Sequence, residues 1–219
     1  EALEMVDLAL ISRVAATGKP IIISTGMATI GEIDEAVTTV EKSGGSQLAL
    51  LHCVSGYPTP VTESNLRTLP KLASQFDAVI GLSDHTLGTV SAISAVALGA
   101  TIIEKHFTLD RSDGGLDAAF SLEPHELKQL CRDSRTAWVA LGKASFERKP
   151  SEQENTMFRR SLYAVEFIGA GEVFNEDNVR SIRPGFGLAP KHYQNVLGQK
   201  ASREVPRGTP LDWSLITKE

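Results

Sequence analysis

Four short runs of apolar residues constrain the fold of this chain more than any other feature. Each run is continuous rather than alternating, and they occupy residues 21–23, 48–51, 78–82 and 101–103. Continuous runs of this length are typical of parallel strands that are buried on both faces. Patterns of helical period lie before, between and after them, at residues 2–17, 30–42, 65–75, 88–99 and 124–141. This alternation predicts a parallel α/β unit with right-handed crossovers.

The character of the sequence changes after Leu141. Residues 142–160 are polar and charged, contain Pro150 and have no apolar period, which indicates a linker. Residues 161–219 hold short β-like runs separated by glycine and proline. We therefore expect an α/β domain at 1–141, a linker at 142–160 and a small β-rich domain at 161–219. A domain of about 60 residues has a marginal core, so we expect it to lean on a partner surface.

Composition argues against several classes of function. The formal net charge is −5, whereas a non-specific nucleic-acid binder is expected to be basic. No apolar run approaches the roughly 20 residues of a membrane helix, so we expect neither nucleic acid nor a membrane as a partner. The two cysteines, Cys53 and Cys131, make neither a disulfide framework nor a zinc quartet. Their scarcity favours a reducing compartment, and we expect a cytoplasmic protein.

Every apolar run is followed by polar side chains at its carboxyl end. These are Ser24 and Thr25, then His52, Ser55 and Tyr57, then Ser83, Asp84 and His85, and finally Glu104, Lys105 and His106. Packing does not require this arrangement, and parallel α/β folds build their active sites at this edge of the sheet. The pattern therefore predicts an active site to which four strands contribute.

Two histidines stand one β-α-β step apart at this edge. Adjacent strands would present His85 and His106 to a single ion, and two imidazoles with oxygen ligands suit a divalent metal such as Mn²⁺ or Zn²⁺. The alternative is that both are structural hydrogen-bonding residues. His52 is either a third ligand or a histidine packed beside Cys53. Asp84 is a candidate for orienting His85.

Two segments near this edge have both a structural and a functional interpretation. Residues 107–122 form a long loop with acidic residues and Gly114-Gly115. It is either a solvated loop or a lid that carries a carboxylate to a sugar hydroxyl. Residues 24–27 either bind an anion at the start of the following helix or simply cap that helix.

Several segments together resemble a known enzyme family. KPIIISTGM (19–27), LLHC (50–53), YP (57–58), GLSDHT (81–86) and EKHF (104–107) occur in an order and spacing similar to the nonulosonic (sialic) acid synthases. RPG (183–185) and GQKASR (198–203) resemble the family's antifreeze-like (SAF) domain. The resemblance covers essentially the whole chain. It implies the C-terminal half of a (β/α)₈ TIM barrel followed by a small β-rich SAF domain of β-clip type.

The resemblance also implies an activity. Family enzymes condense phosphoenolpyruvate with an N-acetylated amino-sugar aldehyde and release phosphate. They use a divalent metal, for which we expect Mn²⁺ or Mg²⁺, and they form domain-swapped homodimers in which the SAF domain covers the partner's active site. By motif, His85 and His106 match the metal ligands, and Ser24 and Ser83 match hydroxyls that contact phosphoenolpyruvate.

The sugar-binding positions follow from the same motifs. Tyr57 and Asp117 match residues that bind the sugar, and Arg183 matches the SAF arginine that reaches the sugar of the partner subunit. Ser55 stands where the family commonly has Asn, which puts the usual amide contact in question. Glu104 is a catalytic candidate that either orients a ligand or water near the metal or pairs with a barrel lysine. Lys105 should point to the opposite side of its strand.

Other segments favour one branch of the family. FRRSLY (158–163), VRSIRPGFGL (179–188) and GTPL (208–211) look closer to pseudaminic acid synthases than to N-acetylneuraminate synthases. The implied sugar is 2,4-diacetamido-2,4,6-trideoxy-altrose, and the implied product is pseudaminic acid. An N-acetylneuraminate or legionaminate synthase is the alternative. A metal-dependent pyruvate aldolase and a non-catalytic carbohydrate-binding protein are more distant ones.

The motif order accounts for about four β/α units, half of an eight-stranded barrel. A half barrel leaves open sheet edges and an uncovered apolar interior. We therefore interpret the helical start at Glu1 as a cut in mid-barrel. In the family, phosphate-binding lysines and a catalytic glutamate lie on earlier strands, so we expect this piece alone to be inactive.

Overall fold

The structure is a computed structural model that describes residues 3–217. The chain divides between Lys143 and Ala144 into two compact units. No helix among the described residues is both long and apolar enough to cross a membrane.

The first unit alternates helices and strands along its length. A 3-10 turn at Leu3–Val6 precedes its main elements, which are α1 (Leu8–Ala15), β1 (Ile21–Ser24), α2 (Ile30–Lys42), β2 (Leu48–Cys53), α3 (Thr68–Gln75), β3 (Val79–Asp84), α4 (Val90–Ala97), β4 (Ile102–Lys105) and α5 (Pro124–Leu141). The four strands form one parallel sheet in the order β1-β2-β3-β4. The sheet is curled like half of an eight-stranded barrel, which confirms the predicted fold class.

Local sequence explains where the helices begin. Thr29 caps α2, and its side chain and that of Glu32 exchange hydrogen bonds with each other's backbone N–H in a capping box. Pro124 occupies the first turn of α5, where its missing N–H costs nothing, and Glu123 and Glu126 form a second capping box there. These signals place both helices at the bounds expected from the sequence.

The core of the first unit lies between the sheet and its helices. Leu50 of β2 and Leu69 of α3 are fully buried in one cluster with Ile33 of α2 and Ile80 of β3. Gly81 is required in β3, because a Cβ there would lie 2.5 Å from the carbonyl oxygen of Ile102 in β4. Close approach of the strands at this point brings the carboxyl ends of β3 and β4 together.

The second unit has a core of its own. It contains α6 (Pro150–Gln153), the antiparallel strands β5 (Ser161–Ala164) and β6 (Val179–Ile182), and α7 (Tyr193–Val196). Single bridges such as Ile168 with Val205 extend the β structure beyond the two strands. Leu162, Phe174 and Leu211 are fully buried in its cluster.

Candidate functional site

The centre of the site is formed where β3 and β4 end. Asp84 pairs with Lys105 in the parallel register, so the residues that follow, His85 and His106, emerge side by side. Their ring centroids are 5.1 Å apart and the rings meet at 69°. The structure thus brings together the two histidines that the sequence singled out.

His85 is held by the backbone after β2. Its Nδ1 lies 3.0 Å from the carbonyl oxygen of Val54, so Nδ1 is the donor of this contact, and in the neutral ring the lone pair is on Nε2. Burial lowers the pKa of the imidazole, but the contacts with Cys53 and the Val54 carbonyl, together with the charge of Asp84, hold the pKa above its ordinary value. A buried ring with Nε2 free is a suitable metal ligand.

His106 is oriented by a carboxylate. Its Nδ1 lies 3.5 Å from Oδ2 of Asp117, in the loop that follows β4. The ring also packs on Phe120, with centroids 5.0 Å apart. Because Nδ1 faces the carboxylate, Nε2 of His106 is also available to a ligand.

Tyr57 completes the group from the segment after β2. Its ring centroid is 4.3 Å from that of His85 and 6.0 Å from that of His106. The tyrosine is 53% exposed, so it forms one wall of the site and still faces solvent. Ser55, two residues earlier, has a buried Oγ that meets no hydrogen-bond partner within the described part of the chain.

Ser83 and Glu104 form the layer beneath the histidines. The Ser83 hydroxyl donates a hydrogen bond of 2.6 Å to Oε1 of Glu104. The two residues are register partners in β3 and β4, so this bond crosses between adjacent strands. Glu104 is thus engaged by Ser83, and whether it orients a ligand or water near the metal or pairs with a barrel lysine stays a prediction.

Asp84 does not orient the His85 ring. Consecutive residues of a strand point to opposite faces, so the Asp84 carboxylate lies on the far side of β3. There it pairs with Lys105 at 2.8 Å and accepts the N–H of Thr86. Lys105 accordingly points away from Glu104, as the sequence predicted.

The Nε2 atom of His52 is already engaged with the backbone, unlike the Nε2 atoms proposed as ligands on His85 and His106. His52 is buried, and its Nε2 lies 2.8 Å from the carbonyl oxygen of Ser64. This contact agrees with the packed, structural interpretation of His52.

Ser24 and Thr25 are buried at the end of β1. The helix that follows is capped by Thr29 and Glu32 rather than by either of them. Ser24 and Thr25 are therefore not the residues that cap α2. Arg183 belongs to the second unit, where it follows β6.

The loop between β4 and α5 is tied at its base. The N–H of Thr108 donates to the carbonyl of Leu122, and the N–H of Leu122 donates to the carbonyl of His106. Leu109 and Leu116 are exposed farther along the loop. The loop carries Asp117 back to His106, so its anchored base is part of the site.

A second group could also hold a metal ion. Ligand atoms of Glu123, His125 and Glu126 lie within 4.8 Å of one another at the start of α5. The sequence analysis did not group these three residues. Arg111 already pairs with both carboxylates, and a bound cation would have to displace it.

Two further members of the main site were missed from the sequence. The Val54 carbonyl orients His85, and any residue type offers such a group, so no sequence signal could have identified it. Phe120, which is 5% exposed, packs on His106 and lies 6.1 Å from Tyr57 between ring centroids. Its apolar side chain within an acidic loop was the available signal.

The donor set fits a divalent cation. Two imidazoles have their Nδ1 atoms turned to oxygen acceptors, an arrangement common among metal-bound histidines. Imidazole nitrogen with carboxylate or water oxygen suits Mn²⁺ and related ions. The half-exposed Asp117 and Tyr57 border this centre with groups that can bind a polar substrate.

Comparison with known proteins assigns both units. The sequence model of the NeuB family matches residues 2–146, and that of the SAF domain matches residues 159–217. The chain is 40% identical over 209 residues to the pseudaminic acid synthase of Helicobacter pylori, covering 95% of this chain and 62% of that protein. It is 42% identical over 203 residues to the N,N'-diacetyllegionaminic acid synthase of Campylobacter jejuni, covering 91% and 61%.

A solved structure agrees with these relatives. The spore coat polysaccharide biosynthesis protein SpsE of Bacillus subtilis superposes with a TM-score of 0.62 at 35% identity, over 100% of this chain and 66% of that chain. The chain spans about three fifths of the length of the two curated relatives.

Proposed function

This chain belongs to the NeuB family and carries an SAF domain, and from this premise we propose that it acts in a phosphoenolpyruvate-dependent nonulosonic acid synthase. In this reaction C3 of phosphoenolpyruvate attacks the aldehyde carbon of an N-acetylated amino sugar. Water adds at C2 and phosphate leaves with C–O cleavage. The observation that carries the proposal is the convergence of His85, His106, Tyr57 and Asp117 at the ends of β3 and β4.

His85 and His106 are the proposed ligands of a divalent metal, Mn²⁺ or Mg²⁺. When bound, such an ion acts as a Lewis acid toward the substrate carbonyl. The residues around it supply position. The Val54 carbonyl and the Asp117 carboxylate face the Nδ1 atoms of the two imidazoles, which favours the tautomer that presents Nε2. Holding both substrates in reacting geometry can lower the activation barrier by about 7–11 kcal/mol.

Tyr57, Asp117 and Ser55 are the proposed sugar-binding residues. The Asp117 carboxylate, 51% exposed, can accept hydrogen bonds from sugar hydroxyls while it orients His106. The Tyr57 ring offers an apolar face beside the histidines. Ser55 supplies a small hydroxyl with no protein partner in the described region, where relatives of the family commonly place an amide.

Ser24 and Ser83 are the proposed contacts to phosphoenolpyruvate, and Glu104 is the proposed acid-base residue. In the structure the Ser83 hydroxyl donates its hydrogen bond to the Glu104 carboxylate. Protonation of Glu104 would release the Ser83 hydroxyl to donate to a phosphate or carboxylate oxygen. Glu104 can therefore take a proton from the attacking water while Ser83 turns to the anion.

The SAF unit supplies Arg183 to the partner's site in this proposal. A guanidinium can donate two parallel hydrogen bonds to an acceptor such as an acetamido oxygen or a carboxylate. The enzyme would then be a domain-swapped homodimer. Residues 1–219 alone are expected to lack turnover, because the described sheet has four strands and the chain spans only part of its relatives. Free Cys53 and Cys131 support a cytoplasmic location.

The proposed sugar is 2,4-diacetamido-2,4,6-trideoxy-altrose, which gives pseudaminic acid. The 40% identity to a pseudaminic acid synthase, over an alignment that covers 95% of this chain, supports this branch. A legionaminic acid synthase is the second candidate, because a relative of that name is 42% identical.

The test is to incubate the full-length protein with phosphoenolpyruvate and a panel of acetamido sugars while phosphate and product mass are followed. The proposal expects phosphate release that depends on the sugar, fastest with the altrose derivative. Fastest release with the legionaminate precursor would select the second candidate. Product formation from pyruvate without phosphate would show an aldolase. Sugar binding without turnover would show a non-catalytic protein.

A further inference from the structure

A buried ion pair lies directly behind the metal-site histidines. Lys105 Nζ is 2.8 Å from Oδ2 of Asp84, and their side chains are 3% and 1% exposed. The two residues are register partners in β4 and β3. Because side chains alternate along a strand, the pair occupies the face of the sheet opposite Ser83 and Glu104.

The pair binds the backbone that follows His85. Oδ1 of Asp84 accepts the N–H of Thr86 at 2.9 Å, and Lys105 Nζ donates to the carbonyl oxygen of Thr86. One acid and one base thus hold both polar backbone groups of a single residue. The side chain of Thr86 adds no such restraint, since its buried Oγ1 has no hydrogen-bond partner within residues 3–217.

His85 is consequently fixed from both sides. Its own carbonyl accepts the N–H of Thr59 at 3.0 Å, its ring meets the Val54 carbonyl, and the next residue is held by the ion pair. Release of Thr86 would let the backbone turn at His85 and move Nε2 relative to His106. A metal ligand misplaced in this way binds more weakly.

Stability alone does not explain the pair. Burying two charges costs several kcal/mol per ion, and replacing such a pair by apolar residues of similar size is often neutral or stabilising. Apolar residues cannot, however, hold the N–H and carbonyl of Thr86. We propose that Lys105 and Asp84 are positioning residues, which hold the Thr86 backbone and thereby set the His85 imidazole for the metal. This inference rests on the metal site of the proposed function.

The test removes both charges together, so that neither is left buried alone. The protein with Lys105→Met and Asp84→Leu is compared with the parent for thermal unfolding, Mn²⁺ affinity by electron paramagnetic resonance, and amide exchange at Thr86. We expect cooperative unfolding like that of the parent and Mn²⁺ binding about 10–100-fold weaker. Relative to the parent, amide exchange should accelerate more at Thr86 than at Leu82. A matched control, Arg132→Gln with Asp133→Asn, removes an exposed pair on α5 and should bind Mn²⁺ like the parent.

The outcomes separate this inference from the proposed function. Parent-like Mn²⁺ affinity in the folded double variant would overturn the positioning role, whatever the exchange rate at Thr86 and even if His85→Ala abolishes binding. Parent-like affinity in His85→Ala would instead overturn the metal site. If the double variant does not unfold cooperatively, Lys105→Met with Asp84→Asn is used, which also removes both charges but keeps the shape of residue 84 and loses only the hold on the Thr86 carbonyl. It should weaken Mn²⁺ binding, and unchanged affinity there would also overturn the proposal.

Discussion

The imidazole rings of His85 and His106 lie 5.1 Å apart between centroids, and each turns Nδ1 toward an oxygen of a different loop. Val54 supplies one oxygen and Asp117 the other. The segments after β2, β3 and β4 therefore meet at this pair of imidazole rings. This convergence is the structural basis for the proposed metal centre and for the predictions that follow.

His85→Ala should abolish tight binding of Mn²⁺. It removes a direct ligand, so the loss should exceed the roughly 10–100-fold that removal of an outer-shell partner costs. The control is His192→Ala, because His192 packs on Trp213 in the second unit. Titration of each purified protein with Mn²⁺ measures the difference. Equal affinities in the two variants would refute the role of His85.

Arg183→Ala in the full-length enzyme should raise KM for the sugar and leave KM for phosphoenolpyruvate nearly unchanged. Loss of one charged hydrogen bond costs about 1.5–3 kcal/mol, or roughly 10–100-fold in affinity. Arg180→Ala, an exposed arginine of β6, is the matched control. Mixed dimers of Arg183→Ala and His85→Ala chains should regain activity, because one composite site is intact. No recovery on mixing would contradict the cross-subunit contact.

Glu126→Gln should remove part of the acid dependence of stability. The N–H of Glu123, and then Arg111, hold the pKa of Glu126 below its ordinary value of 4.5. A lowered folded pKa stabilises the fold above about pH 4.5, and this stabilisation is lost as pH falls through the folded value. The variant should be less stable by about 0.5–1 kcal/mol at pH 7, with the gap closing below pH 4. Urea unfolding at several pH values measures this.

Glu35→Gln provides the comparison for that experiment. Glu35 lies on the exposed face of α2, and its neutralisation should change stability by no more than about 0.5 kcal/mol at any pH. A gap for Glu126→Gln that persisted unchanged at pH 3 would show that its carboxylate charge is not what stabilises the start of α5.

Gly81→Ala should destabilise the first unit strongly. The added Cβ would lie 2.5 Å from the Ile102 carbonyl and 2.5 Å from Leu51 Cδ2, and overpacking of this kind costs about 1–3 kcal/mol or more. Gly31→Ala is the control, since nothing lies within 4 Å of its Cβ position. In α2 that change should be neutral or stabilising by up to about 1 kcal/mol. Equal thermal unfolding of the two variants would contradict the close approach of β3 and β4.

The sequence was informative where local rules decide the structure. The helical period of the apolar residues placed α2 and α5 at their observed bounds. The capping boxes of Thr29 with Glu32 and Glu123 with Glu126 act at the same helix starts through contacts a few residues apart. The parallel sheet followed from continuous apolar runs. The pairing of His85 with His106 followed from their equivalent positions on neighbouring strands.

The parts that sequence reasoning missed depend on contacts between distant segments. Asp84 was a candidate for orienting His85, its neighbour in sequence, but its carboxylate pairs with Lys105 instead. The group that does orient His85 is the Val54 carbonyl, which every residue type possesses. The sequence left two interpretations of His52 open, and the contact with Ser64 that favours the packed one depends on how the loop after β2 folds back. The Val54 and Ser64 contacts have no local signature in the sequence.

The metal centre is tested most directly by the anomalous difference map of crystals soaked in Mn²⁺, recorded at the manganese edge. The predicted result is a peak within coordination distance of Nε2 of both His85 and His106. A peak only at Glu123, His125 and Glu126, whose ligand atoms lie within 4.8 Å of one another, would contradict it. An empty map between the two imidazoles at full occupancy of that second group would place the metal of this protein elsewhere.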